Sequence, residues 1–229
     1  MKIGILTYHS SKNFGSSLQC FALYSLIKQK KHKPVVIDYY SFNRKGIKNF
    51  IRRCIFFFEK LIKKSILNPQ SQFLHFEYNL SKPYKTSDFI LNEKLDKIVV
   101  GGDQLWNPAI IHNVYYGSFD TKNNYKKYSY AVSFGQSAVT LSNERIALLK
   151  NFTCLSVREN EGKNILDKYG LNSKVCLDPV LLHDSKFWKK NERKPYINDK
   201  RFIFCYFLKG IDSYSEDILE YSKRKNIKC

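Results

Sequence analysis

Residues 2–39 read KIGILTYHSSKNFGSSLQCFALYSLIKQKKHKPVVIDY, and they set the fold class. Lys2 to Thr7 is a short apolar run of strand character. A polar loop follows from Tyr8 to Gly15. From Ser16 to Lys30 the apolar residues Leu18, Phe21, Ala22 and Leu26 recur at helical spacing. Pro34 breaks that pattern, and Val35 to Tyr39 is a second β-branched run. A strand, a helix and a strand in under forty residues require a right-handed parallel crossover.

Further strands alternate with helices along the chain. Asp96 to Val100 is a buried-strand run ending in Gly101, Gly102 and Asp103. Lys127 to Phe134 is another, ending at Gly135. A helix is predicted over Asn143 to Asn151, a strand over Thr153 to Arg158, and a helix over Glu159 to Tyr169, closed by Gly170. Val175 to Leu177 is a last strand before Asp178 and Pro179. The fold class is therefore α/β with a Rossmann-like parallel sheet. Asn68 to Asn92 shows no strong pattern. Residues 1–182 form the N-terminal domain in this reading, 183–200 a polar linker, and 201–229 the start of a second α/β unit. In that unit Arg201 to Leu208 is read as a strand, Tyr214 to Lys225 as a helix and Asn226 onward as the start of another strand.

The chain has 229 residues, 43% of them hydrophobic, which is ample for a core. No uncharged apolar run approaches the roughly 18 residues of a spanning helix. Met1 to Leu6 runs straight into a strand, with no leader pattern. Six cysteines are scattered singly, with no C-x-x-C pair, which fits a reduced, cytoplasmic protein. The histidines, among them His9 in the first loop, show no metal-ligand spacing, and each reads more readily as a surface or capping residue than as a catalyst.

The net charge of +19 has two readings: an anionic partner, or a Lys- and Asn-rich composition throughout. Asn43 to Leu67 is basic and amphipathic. It is either a helix packed on the sheet or a peripheral contact with anionic lipid at the inner face of a membrane. No nucleic-acid reader motif is present, and the charge is spread rather than striped.

Ligands of open parallel sheets sit at the carboxyl ends of the strands. Four loops there carry unusual residues. Tyr8 to Gln19 precedes a helix N-terminus suited to an anion, with Gly15 allowing close approach and Ser16 either a contact or an N-cap. It matches neither the dinucleotide nor the nucleoside-triphosphate fingerprint. Gly101 to Pro108 (GGDQLWNP) holds Asp103, suited to act as a base toward a sugar hydroxyl or to bind a sugar diol. Its Trp106 is either a stacking surface for a sugar ring or part of the core. Ser133 to Gly135 is the third loop, and Ser156 to Asn160 the fourth. Arg158 in the fourth is placed to fork onto a carboxylate or phosphate, or to pair with Glu159 or Glu161.

Taken in order, five blocks resemble the polysaccharide pyruvyl transferase family: NFGSSLQ at 13–19, GGDQLWNP at 101–108, YAVSFG at 130–135, SVRE at 156–159 and LDPVL at 177–181. The resemblance spans about residues 3 to 208. At Gly102 the chain has glycine where serine is usual in that family. The resemblance implies transfer of enolpyruvate from phosphoenolpyruvate to a sugar or glycan acceptor of a cell-surface polysaccharide or its precursor. Two hydroxyls usually become bridged as a pyruvate ketal. No cofactor or metal is implied, since phosphoenolpyruvate is a donor substrate.

Carried over by position, Asp103 is the catalytic candidate. Arg158 would bind phosphoenolpyruvate, and Asp103 with Asn107 would face the acceptor. Asn13, Gly15 and Ser16 would line the cleft floor. Gln19, Gln104, Trp106, Ser133 and Glu159 complete the expected substrate-binding set. The implied architecture is a two-domain, glycosyltransferase-B-like fold with the second domain truncated, so little or no transferase activity is expected of the 229-residue chain alone. The rival readings are a nucleotide-sugar glycosyltransferase of the same build and a basic lipid- or nucleic-acid-binding module. Oligomeric state is not legible.

Overall fold

The computed structural model describes residues 1–9, 13–39, 79–84, 88–108, 112–119, 125–192, 201–205 and 214–227. The basic amphipathic segment 43–67, with its membrane reading, lies outside them. The chain divides into two units, Met1–Asp184 and Ser185–Cys229.

The first unit is built on parallel strands. They are β1 (Lys2–Leu6), β2 (Lys33–Val36), β3 (Lys97–Gly101) and β4 (Lys126–Tyr130), in the order β2-β1-β3-β4. Every pair is parallel. A second parallel pair follows, β5 (Leu155–Val157) with β6 (Ser173–Val175). Parallel bridges Tyr128↔Cys154 and Val132↔Val157 join β4 to β5, so one sheet runs from β2 to β6. Helix α1 (Phe14–Gln29) makes the crossover between β1 and β2. Among its described residues this unit has three further α-helices, α2 (Phe89–Glu93), α3 (Asn143–Lys150) and α4 (Asn160–Asp167).

The side-chain period of two sorts the strand residues onto two faces. Ile3, Ile5 and Val36 meet Cys20, Leu23, Tyr24 and Ile27 of α1. Leu6, Val35, Ile37, Ile98 and Val100 face the other way, into the larger core with Phe89, Trp106, Tyr116 and Leu149. The parallel register Gly4↔Ile98 and Leu6↔Val100 keeps these sets in step. A one-residue slip would turn both to the wrong side.

The edge of β2 is covered by residues 79–84, through bridges Val36↔Leu80 and Tyr39↔Tyr84. These residues and α2 fall in the stretch that shows no pattern in sequence. A helix of five residues is too short to display a period.

Several sequence boundaries shift for local reasons. Helix α1 starts at Phe14 because Asn13 is its N-cap, the Oδ1 accepting Ser16 N–H at 3.2 Å. Ser16 is therefore inside the helix, not its cap. Strand β4 stops at Tyr130, short of Phe134, because Ala131 adopts φ +46. Around this break, serine side chains add to the backbone bonds between Val132 and residues 156–158. Ser156 N–H donates to Ser129 Oγ at 2.6 Å, Ser156 Oγ to Ser129 O at 2.8 Å, and Ala131 N–H to Ser156 Oγ at 3.1 Å. Strand β6 begins two residues before the predicted run. Gly170, at φ +68, terminates the turn after α4 as expected.

In the second unit, α5 (Ser185–Asn191) occupies part of the segment read as a linker. The described residues of the predicted 201–208 strand, 201–205, contain no strand beyond an isolated bridge at Phe202. Helix α6 (Ser215–Lys225) has Glu216 and Asp217 in its first turn and Lys223, Arg224 and Lys225 in its last. Both sets complement the helix dipole. Asn226, in the left-handed conformation, caps it where the sequence reading began a strand.

A tyrosine cluster closes the carboxyl end of β1. The Tyr8 and Tyr115 rings lie 4.9 Å apart, and Tyr39 meets Tyr115 edge-on at 6.1 Å. Burial pushes the phenols of Tyr8 and Tyr116 up to about 12, and that of Tyr115 up as well. A raised phenol pKa means that the fold favours the neutral form. The stabilisation is complete below the ordinary value of 10.0 and is lost as pH rises toward about 12. A base titration followed by circular dichroism and phenolate absorbance should show unfolding in that window, with these tyrosines ionising last. Ionisation of every phenol near the ordinary value, with the fold intact, would contradict this packing.

Candidate active site

The strand order reverses direction between β1 and β3. The chain leaves β1 toward β2 on one side and returns at β3 on the other. Such a switch point opens a crevice at the carboxyl ends. The loops after β1, β3, β5 and β6 converge there.

Arg158, just past β5, is the hub. Its Nη2 lies 2.7 Å from Asp103 Oδ1, past β3, and 2.9 Å from Glu159 Oε1. Its Nε donates to Glu159 Oε1 at 3.0 Å, and its Nη1 to Asp178 Oδ2 at 3.4 Å. Burial works against the guanidinium charge. The hydrogen bond and charge of Asp103, followed by Glu159, outweigh it and hold the pKa above the ordinary arginine value. As ionised groups, the three carboxylates leave a surplus of two negative charges around one cation.

Gln19 of α1 braces the cluster from the other side. It is buried, its Nε2 donates to Asp178 Oδ2, and its Oε1 accepts Asp103 N–H at 3.1 Å. Asp178 is itself fixed as the N-cap of the 3-10 turn Pro179–Leu182, its Oδ1 accepting Val180 N–H at 2.9 Å. Four elements thus hold one another through polar side chains, with hydrogen bonds to charged groups worth about 1.5–3 kcal/mol each before solvent screening.

The loops after β3 and β4 are zipped by backbone bonds. Ser133 N–H donates to Gly102 O at 3.3 Å, and Trp106 N–H to Ser133 O at 3.2 Å. Gly135 packs against the Gln104 side chain, and Asn107 Nδ2 donates to Gln104 Oε1 at 3.2 Å.

Asn13, Gln19, Asp103, Arg158 and Glu159 from the sequence-predicted set therefore lie around the crevice. Gly15 and Ser16 lie in the first turn of α1. Gln104 is exposed on the loop beside Asn107.

Two residues are corrected. Trp106 has no exposed surface: its indole N–H donates to Tyr115 O at 3.0 Å, and its ring packs among Tyr116, Phe134 and Phe152. It is core, with no face for a sugar. Ser133 is also fully buried, its Oγ accepting Gly135 N–H at 2.9 Å, so it shapes a turn rather than offering a contact.

Asp178 is missing from the sequence-predicted set, although Asp-Pro after a strand marks it as a cap. His9 and Asp38 are missing too. They form a buried pair, with Nε2 3.0 Å from Oδ1. Among the described residues no group of His, Cys, Asp and Glu could hold a metal ion. Nor is any helix among them long and apolar enough to cross a membrane.

A model of the polysaccharide pyruvyl transferase family matches residues 13–229, nearly the whole chain. The chain belongs to the polysaccharide pyruvyl transferase family. Its function is thereby that of a transferase class. No curated protein matches the sequence.

Family membership raises the question of Gly102, where serine is usual in the resemblance. Here Gly102 has φ +139, and a Cβ on it would lie 2.6 Å from Thr7 Oγ1. Few side chains adopt that backbone angle. A Gly102→Ser exchange should therefore destabilise this pyruvyl transferase family member by roughly 1–3 kcal/mol. Chemical denaturation checks it, and an unchanged or raised midpoint would show that the loop relaxes freely.

Proposed function

We propose that this crevice serves transfer of the enolpyruvyl group of phosphoenolpyruvate to hydroxyls of a sugar in a polysaccharide or its precursor. The observation that carries this reading is the convergence of Gln19, Asp103, Arg158, Glu159 and Asp178 at the switch point of a chain in this family.

The reaction needs a cationic grip on an anionic donor and hydrogen-bond acceptors for the hydroxyls that attack it. Arg158 supports the first need only by exchange, because its donors already face carboxylates. The weakest of these contacts is Nη1 to Asp178 at 3.4 Å. Gln19 also holds that Asp178 oxygen, so it stays bonded if Nη1 is given up. The Nη1 edge is therefore where a donor carboxylate or phosphate enters. The first turn of α1 supplies a second anion-favouring element. It carries no acidic residue, and Gly15 is exposed. Its positive dipole end favours a phosphate.

The acceptor falls to the acidic side of the cluster. Asp103 and Glu159 are about one-third exposed and keep oxygen lone pairs beyond those that Arg158 occupies. Gln104, exposed on the same loop as Asp103, adds an amide, whereas Asn107, expected to face the acceptor, is buried and bonded to Gln104. Such a mixed set suits a sugar diol. Arg158 thus has two functions in this reading: it fixes the acceptor-facing carboxylates and offers its remaining edge to the donor.

Arg158→Ala should weaken phosphoenolpyruvate binding about tenfold or more, the loss of one charge-assisted contact. Arg158→Lys should recover only part of it, since an ammonium cannot fork to several partners. The phosphorus resonance of phosphoenolpyruvate, titrated with each variant, reads the affinity. Appearance of a ketal methyl resonance with an added sugar diol reads the transfer. Unaltered affinity in Arg158→Ala would remove the donor role.

A further inference from the structure

The buried pair of His9 and Asp38 joins the ends of β1 and β2 and has no part in this cluster. His9 is 8% exposed and the Asp38 side chain 4%. Asp38 is well anchored: its backbone N–H donates to Ser81 Oγ at 3.0 Å, and Ser81 Oγ to Lys82 O at 2.8 Å. A carboxylate oxygen only accepts, so the His9 Nε2 facing it carries hydrogen. In the neutral ring, Nδ1 then holds a lone pair. That atom is buried and has no hydrogen-bond partner among the described residues. An unpaired buried polar atom destabilises a fold unless something else makes use of it.

The sheet pairing sets the loop that carries His9 next to the loop that carries Asp103. Leu6 pairs with Val100. His9 lies three residues beyond Leu6, and Asp103 three beyond Val100. The two residues follow adjacent strands, one on each side of the switch point. Thr7 Oγ1, against Gly102, links the loops between them. Tyr8 and Tyr39, next to His9 and Asp38 in the chain, both pack on Tyr115 and wall this end of the crevice with aromatic rings.

We infer that His9, held by Asp38, is the catalytic base that takes the proton of the acceptor hydroxyl on Nδ1. The inference rests on the phosphoenolpyruvate reading above and adds the proton carrier to it. As the acceptor oxygen bonds C2 of phosphoenolpyruvate, its hydrogen passes to Nδ1. The electron pair of the C2–C3 double bond takes that proton at C3, which becomes a methyl group. Asp38 stabilises the transient imidazolium without itself being protonated. A second hydroxyl then bonds C2 and the phosphate leaves with the C2–O electron pair and the hydroxyl proton, closing the ketal. His9 is neutral at both ends of the sequence.

The test is a long-range proton–nitrogen correlation spectrum of the chain labelled with nitrogen-15 histidine, with His9→Gln used to assign the His9 signals. In the free chain His9 should show hydrogen on Nε2 and a bare Nδ1. Phosphoenolpyruvate together with methyl β-galactopyranoside or methyl β-mannopyranoside should then move the Nδ1 resonance. An Nδ1 signal that stays fixed while the donor's phosphorus resonance responds overturns the inference and leaves the donor reading standing. A donor resonance that never responds overturns both. In turnover, His9→Gln keeps a hydrogen bond to Asp38 but lacks Nδ1. It should bind the donor normally and lose roughly 10²–10⁴-fold in ketal formation. Normal turnover in that variant also overturns the assignment.

Discussion

One guanidinium balances three carboxylates at the crevice, and the geometry of the site depends on it. Asp103, Glu159 and Asp178 come from loops after three different strands. Without Arg158 they would face one another with no counter-charge, and the loops would separate. With it, and with Gln19 reaching in from α1, the ends of β3, β5 and β6 are held at fixed spacing. The arrangement is only partly buried, so solvent moderates its energy. Its value lies more in position than in stability.

Charge at this site runs opposite to charge in the whole chain. The sequence carries 39 basic and 20 acidic residues, yet the described polar cluster is acidic. An anion therefore meets attraction from the protein at large and a mixed surface at the crevice. The long Nη1 contact and the uncompensated start of α1 are the places where the local field favours an anion. The acidic remainder favours neutral hydroxyl groups that donate hydrogen bonds. One crevice can thus separate a charged donor from an uncharged acceptor by the sign of what lines it.

The sheet was legible because its strands are apolar runs that end in glycine or in polar loops. Thr7-Tyr8-His9 after β1 and Gly102-Asp103-Gln104 after β3 mark their ends without any tertiary information. Pairings across those ends were less legible. Asp103 and Arg158 are 55 residues apart, and Gln19 and Asp178 are 159 apart. Nothing local specifies such partners. Trp106 shows the same limit from the other side: its loop was rightly found, but residue type does not tell whether a ring points out or in. His9 reads as an isolated histidine until β1 and β2 are paired, when Asp38 comes to stand beside it. Short elements such as α2 and the 3-10 turns carry too few residues to show a period.

The central claim is that the switch point between β1 and β3 is where the donor binds. Amide hydrogen exchange with and without phosphoenolpyruvate measures this directly. The account predicts slowed exchange in the first turn of α1, in 102–107 and at 158–160, with the far ends of the same strands unchanged. Protection confined to other parts of the chain, with those three loops unaffected, would contradict it.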